Sequence, residues 1–168
     1  MPRKSRDLTV EDVARIVAIN ASTSDSDTVY RAVEAAAAET VGFVFLTILK
    51  QDDAEQAVVR VHSSNQDAYP VGGKKPYATI QPSQDALKEG EVFLSPDRAA
   101  VKADYVDHET IFALGATAIL NAPIRCAGRR LGTLNFCGEE GRYGPAEVKT
   151  AQILAGLLAP ALLRDVGS

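Results

Sequence analysis

Histidine and cysteine are scarce in this chain, two of each in 168 residues. Cys126 and Cys137 fall within one expected hairpin and form no Cys-x-x-Cys pair, and both histidines, His62 and His108, lie far upstream. No zinc-ligand spacing results, so neither a metal nor another cofactor is expected. The opening residues lack the apolar core of a signal peptide, and no later run is read as long enough to span a bilayer, which makes a cytoplasmic protein without a membrane partner the expectation. Basic charge is not in excess. Asp and Glu number 22 against 18 Lys and Arg, a net charge of -4 that argues against a general nucleic-acid binder. The basic stretch at residues 2–6, Pro-Arg-Lys-Ser-Arg, is too short to alter that balance. Repeats and low-complexity linkers are also missing. What is present is 46% hydrophobic content, which suits a single domain over residues 1–168 with a real core.

Val10, Val13, Ile16 and Val17 recur at helical spacing and predict an amphipathic helix over residues 8–21, with Thr9 as N-cap and Asp12 three residues on. A second helix follows, capped by Ser26 or Asp27, rich in alanine and ended by Gly42. "FVFLTIL" and "AVVRVHSS", parted by an acidic turn, predict an antiparallel hairpin. "SQDALKEG" has helix-forming content and "EVFLS" is a short strand; residues 97–114 form a loop and helix ended by Gly115. "ATAILNAPI" and "RRLGTLNFCG" are two further strands, and Pro145 opens a long closing helix. Tightly joined strand pairs indicate an antiparallel sheet, with the first, second and last helices covering one face, hence an α+β fold.

The segment "LGATAILNAPIRCAGRRLGTLNF" resembles the GAF domain family, whose pattern has a strand ending in Pro, a basic or glycine-bearing turn, and a strand built as Leu-Gly-Thr-Leu-Asn. The resemblance covers a core of residues 28–164, leaving 1–27 as a helical extension. It implies a GAF-like, PAS-related six-stranded antiparallel sheet with a helical bundle on one face and a small-molecule pocket on the other, and a habit of dimerising through terminal helices. Apolar stripes on the first and last helices point to the same homodimer. Cyclic-nucleotide-binding members carry an Asn-Lys pair where Asn135 is here followed by Phe136, which disfavours that ligand. Bilin-binding members attach the chromophore through a cysteine in the middle helical segment, and residues 97–114 contain none. Free methionine sulfoxide reductases place cysteines around the middle strand at positions that Cys126 and Cys137 do not match.

Three groups of residues are candidates for the site. "NQDAYPVGGKKP", residues 65–76, has the glycines and lysines of a phosphate loop, but Pro76 stands where such a loop needs an amide and a hydroxyl residue. It is better taken as a lid at the pocket mouth, with Tyr69 facing inward and Lys74 and Lys75 solvated at the rim. In "DYVDHETIFALG", His108 shares a helical face with Ile111 and Phe112, one turn after Tyr105 and beside Asp107. Strand alternation groups Arg60 and His62 on one face, and Thr133 and Asn135 on another, with Asn121 beside them. The expected ligand-binding set is therefore Tyr69, His108, Asp107, Tyr105, His62, Asn121, Thr133 and Asn135. The function that follows is a stand-alone sensor or binding protein for a small polar metabolite. The alternative is an enzyme on the same scaffold, either a reductase or an acid-base catalyst using His108 with Asp107.

Overall fold

Reciprocal side-chain caps start the chain's first helix, α1 (Val10–Ser22): the Asp12 amide donates to the Thr9 hydroxyl at 3.2 Å and the Thr9 amide to the Asp12 carboxylate at 2.9 Å. Arg6 donates to both Asp12 oxygens, which holds that carboxyl well below the usual carboxylate range. A computed structural model of the chain describes residues 5–164; Pro2, Arg3 and Lys4 of the basic stretch lie outside the described residues. Helix α2 (Ser26–Thr40) is capped by Asp25, one residue before the expected positions, and ends at Gly42 with a φ of 78°.

Six strands follow: β1 (Phe45–Asp52), β2 (Ala57–Ser63), β3 (Lys74–Pro76), β4 (Phe93–Ser95), β5 (Ala118–Cys126) and β6 (Arg129–Gly138). They form one antiparallel sheet in the order β3-β2-β1-β6-β5-β4. Leu46, Ile48, Leu120, Leu134 and Phe136 turn to one face and are buried beneath α1, α2 and the closing helix α5 (Pro145–Arg164). A smaller cluster on the other face joins Phe45, Ile119 and Cys137 to α3 (Arg98–Asp104), α4 (His108–Ala113) and Tyr105 between them. The sheet thus has the expected two dressings.

Several local expectations need correction. "SQDALKEG" forms a 3-10 helix over Pro82–Glu89, and residues 97–114 hold two short helices, the first capped by Asp97. The end of the proposed lid is an edge strand, β3, where Pro76 is tolerated because one side of the strand needs no partner. Helix α5 is long and apolar enough to cross a membrane by length and composition, contrary to the sequence reading. Its Leu154, Leu158 and Leu162 are fully buried in the domain core. Apolar surface at the chain's start is present on α1, where Val10 and Val17 are exposed.

Two irregularities reset the strand faces. In β2 the register steps from His62 opposite Ile48 to Arg60 opposite Leu49, leaving Val61 as an extra residue. In β6 it steps from Gly132 opposite Ile124 to Arg130 opposite Arg125, leaving Leu131 extra. Gly132 lies beside this second bulge, so close to β1 that an added Cβ would stand 2.0 Å from the Leu49 carbonyl oxygen. The glycine of Leu-Gly-Thr-Leu-Asn is therefore required by backbone contact. Gly132→Ala should cost at least about 2 kcal/mol and lower the melting midpoint by about 4–8 °C. Calorimetry giving a parent-like midpoint would show that the two strands do not approach this closely.

Candidate functional site

A cavity of about 600 Å³ lies on the sheet face opposite the long helices, beneath Tyr69, Asp107 and α4. Its floor is a row of polar side chains laid across the central strands by their pairing: Thr47 opposite Asn135, and Asn135 opposite Asn121. Tyr105 donates to the Asn121 carbonyl, Asn121 donates to Asn135 at 2.6 Å, and Asn135 donates to the Thr47 hydroxyl at 3.2 Å. Each group satisfies the next, which is what permits amides and a hydroxyl to be buried there. Burial pushes the Tyr105 phenol well above its ordinary value, so it serves as a donor throughout the physiological range.

Tyr69 closes one wall. Its hydroxyl donates to Asp107 at 2.7 Å, its ring stacks on Phe45 at 5.1 Å, and the Arg60 guanidinium lies 4.9 Å from the ring centre. Burial, then the Asp107 carboxylate, holds this phenol protonated. Asp107 occupies the N-cap position of α4, yet its side chain makes no capping hydrogen bond and serves Tyr69 instead. The lid is tied down by backbone as well: the Gly72 amide donates to the Arg60 carbonyl at 2.8 Å, and the Arg60 amide to that of Gly73 at 2.8 Å. Residues 65–76 are thus held against the cavity mouth by contacts of their own.

Of the expected set, Tyr69, Tyr105, Asp107, Asn121, Thr133 and Asn135 line the cavity. His62 and His108 do not. The bulge at Val61 carries His62 to the helix side, where its Nε2 meets the Glu34 carboxylate and its ring lies 5.9 Å from that of Tyr30. His108 folds back at the first position of α4, its Nδ1 donating to the Tyr105 carbonyl at 2.8 Å and its ring set against Phe112. Ile111 takes the inward position of that helix. The lysines part company: Lys74 is exposed and pairs with Glu55 at 3.3 Å, but Lys75 turns into the cavity, its ammonium 5.7 Å from the Tyr105 ring centre. Arg130, Tyr77 and Asp53 also belong to the lining, and Tyr77 donates to Asp53 at 2.8 Å. Sequence reasoning missed Lys75 because a three-residue strand ending in proline carries too little alternation to be read. Among the described residues, no group of three or more His, Cys, Asp or Glu is placed to hold a metal ion.

This architecture recurs in solved structures. The GAF domain of a phosphoenolpyruvate-protein phosphotransferase from Coxiella burnetii superposes with a TM-score of 0.72 at 17% identity, covering 89% of each chain. Free methionine-R-sulfoxide reductase from Neisseria meningitidis, in complex with its substrate, gives 0.71 at 14% identity over 97% of each chain. The phycoerythrobilin-bound GAF domain of a cyanobacterial phytochrome gives 0.71 at 19% identity, over 95% of this chain and 96% of that one. Comparison with curated proteins finds no match. Identities this low speak for the fold alone, but the family model described as GAF domain matches residues 23–163. With its six-stranded antiparallel sheet, its helical layer and that match over most of its length, the chain belongs to the GAF domain family of sensor and ligand-binding domains.

Proposed function

We propose that this GAF domain is a sensor or binding module for a small polar metabolite with an apolar portion, seated between the polar floor and the Tyr69 wall. The observation that carries this reading is the cavity itself. Its volume of about 600 Å³ falls within the range of small-molecule sites, and it joins apolar walls to a few convergent polar groups. Two structural relatives hold small molecules, a substrate in the reductase and phycoerythrobilin in the phytochrome domain. Binding energy is available without remodelling the floor, because Thr47, Asn121 and Asn135 are already oriented by one another.

The enzyme alternative has less to support it. Acid-base chemistry through His108 would need that ring in the cavity, and it lies outside the lining. Thiol chemistry would fall to Cys137, which faces the cavity, but burial pushes this thiol up and away from the reactive thiolate. Cys126 is no partner for it: the residue opposite Cys126 is Arg129, eight residues before Cys137 on β6, or about 27 Å along an extended strand.

Two experiments test these readings. In a thermal-shift screen of metabolites, at least one compound should raise the melting midpoint by about 5–10 °C at a hundredfold excess over its Kd. Thr133→Phe, which fills the cavity from β6, should keep the parent circular dichroism spectrum and lose that response. An empty screen, or a hit that Thr133→Phe still binds, would overturn the assignment. With a thiol-specific chromogenic reagent, one equivalent should react promptly in the native protein, from exposed Cys126, and the second only after denaturation. Two prompt equivalents would contradict the burial of Cys137 and reopen the thiol reading.

A further inference from the structure

The cavity is basic although the protein is acidic. Four cationic side chains, Arg60, Lys75, Arg129 and Arg130, line it against two carboxylates, Asp53 and Asp107, a surplus of two positive charges where the whole chain carries -4. Both carboxylates already accept a tyrosine hydroxyl, Asp53 from Tyr77 and Asp107 from Tyr69. Arg60, Lys75 and Arg130 are half-buried, and among the described residues none of the three forms an ion pair.

Arg60 and Lys75 are also neighbours. The pairing of β2 with β3 sets Lys75 opposite Val58, two residues from Arg60 and on the same face. Arg60 spends one guanidinium nitrogen on the Pro70 carbonyl at 3.0 Å; its Nε is shielded from solvent and has no partner among the described residues. The Lys75 ammonium rests on the face of Tyr105. Burial draws both groups down from their ordinary values, and the Arg60 guanidinium lowers Lys75 further, against the opposing pull of Asp107. Two adjacent cations, partly stripped of water and unpaired, are costly to hold together. An oxyanion between them relieves the repulsion and accepts charge-assisted hydrogen bonds from the guanidinium and the ammonium.

We infer that the cavity selects organic anions, with a carboxylate or phosphate held between Arg60 and Lys75 and an apolar body lying against Phe45, Tyr69 and Ile119. Arg129 and Arg130 stand on the β6 side, where Arg130 Nε donates to Gln51 at 2.8 Å, and add an attractive field for the same charge. This inference rests on the cavity being a ligand site.

The test uses the full chain and two fluorescent probes with the same apolar body, 8-anilinonaphthalene-1-sulfonate and its uncharged counterpart N-phenyl-1-naphthylamine, titrated at one ionic strength. The sulfonate should bind at least about ten-fold tighter, the scale of a charge-assisted hydrogen bond. Lys75→Gln removes a side chain whose ammonium rests on the Tyr105 ring, and should weaken the sulfonate about five- to ten-fold while leaving the uncharged probe within about two-fold. Arg60→Gln should do the same, with the uncharged probe reporting whether the cavity has survived. Displacement of the sulfonate by naphthoate or by naphthyl phosphate supports the inference and tells which oxyanion is preferred; equal displacement by naphthamide overturns it. If both probes bind equally well and Thr133→Phe abolishes both, anion selection is refuted while the cavity remains a ligand site. If neither binds, both readings fall.

Discussion

Two single-residue insertions, at Val61 in β2 and Leu131 in β6, decide which side chains reach the cavity. A strand alternates strictly between two faces, so an extra residue moves everything beyond it to the other side. Without the first insertion, Arg60 and His62 would share a face; with it, Arg60 lines the cavity and His62 turns to Glu34 under the helices. Without the second, Leu131 would look into the cavity beside Thr133; with it, Leu131 packs into the helix-side core and Arg130 takes the place at the cavity. The second insertion exchanges a residue that suits the core for a cation that suits a ligand site. The approach of Gly132 to Leu49 is what lets β6 stay paired with β1 next to its bulge.

The rest of the site is a balance between groups that are satisfied and groups that are not. Tyr105, Asn121, Asn135 and Thr47 form a closed run of hydrogen bonds across the floor, and Tyr69 with Asp107 clasps the wall. These keep the cavity's shape when it is empty, so little ordering remains to oppose binding. The cations are the opposite case. Desolvated and without ion pairs among the described residues, they raise the energy of the empty state and lower that of an occupied one. Shape therefore comes from the neutral groups, and selectivity from the charged ones.

Much of this is legible in the sequence wherever a local rule has one outcome. Thr9 and Asp12 announce a helix start, and the alternation of Thr133, Asn135 and Cys137 against Leu134 and Phe136 assigns β6 its faces. The family resemblance carried by Leu-Gly-Thr-Leu-Asn supplied a sixth strand that alternation alone did not reveal. The bulge at Val61 is not legible, because Val-Arg-Val-His reads as unbroken alternation and contains no glycine or proline to mark an insertion. His108 was misplaced for a related reason: helical spacing gives its face but not the choice, open to a first-turn residue, of folding back on the Tyr105 carbonyl. Asp107 lines the cavity, and although it stands at the N-cap position of α4 its side chain makes no capping hydrogen bond.

The central claim is that ligands enter the sheet face beneath Tyr69 rather than the apolar surface of the outer helices. Backbone amide chemical shifts, followed by ¹H–¹⁵N correlation spectroscopy while 8-anilinonaphthalene-1-sulfonate is added to the labelled chain, test it most directly. The account predicts shifts concentrated at Thr47, Tyr69, Lys75, Asn121, Thr133 and Asn135, with Val10, Val17 and Ile153 unmoved. Shifts confined to those three exposed apolar positions, with the cavity residues silent, would contradict it.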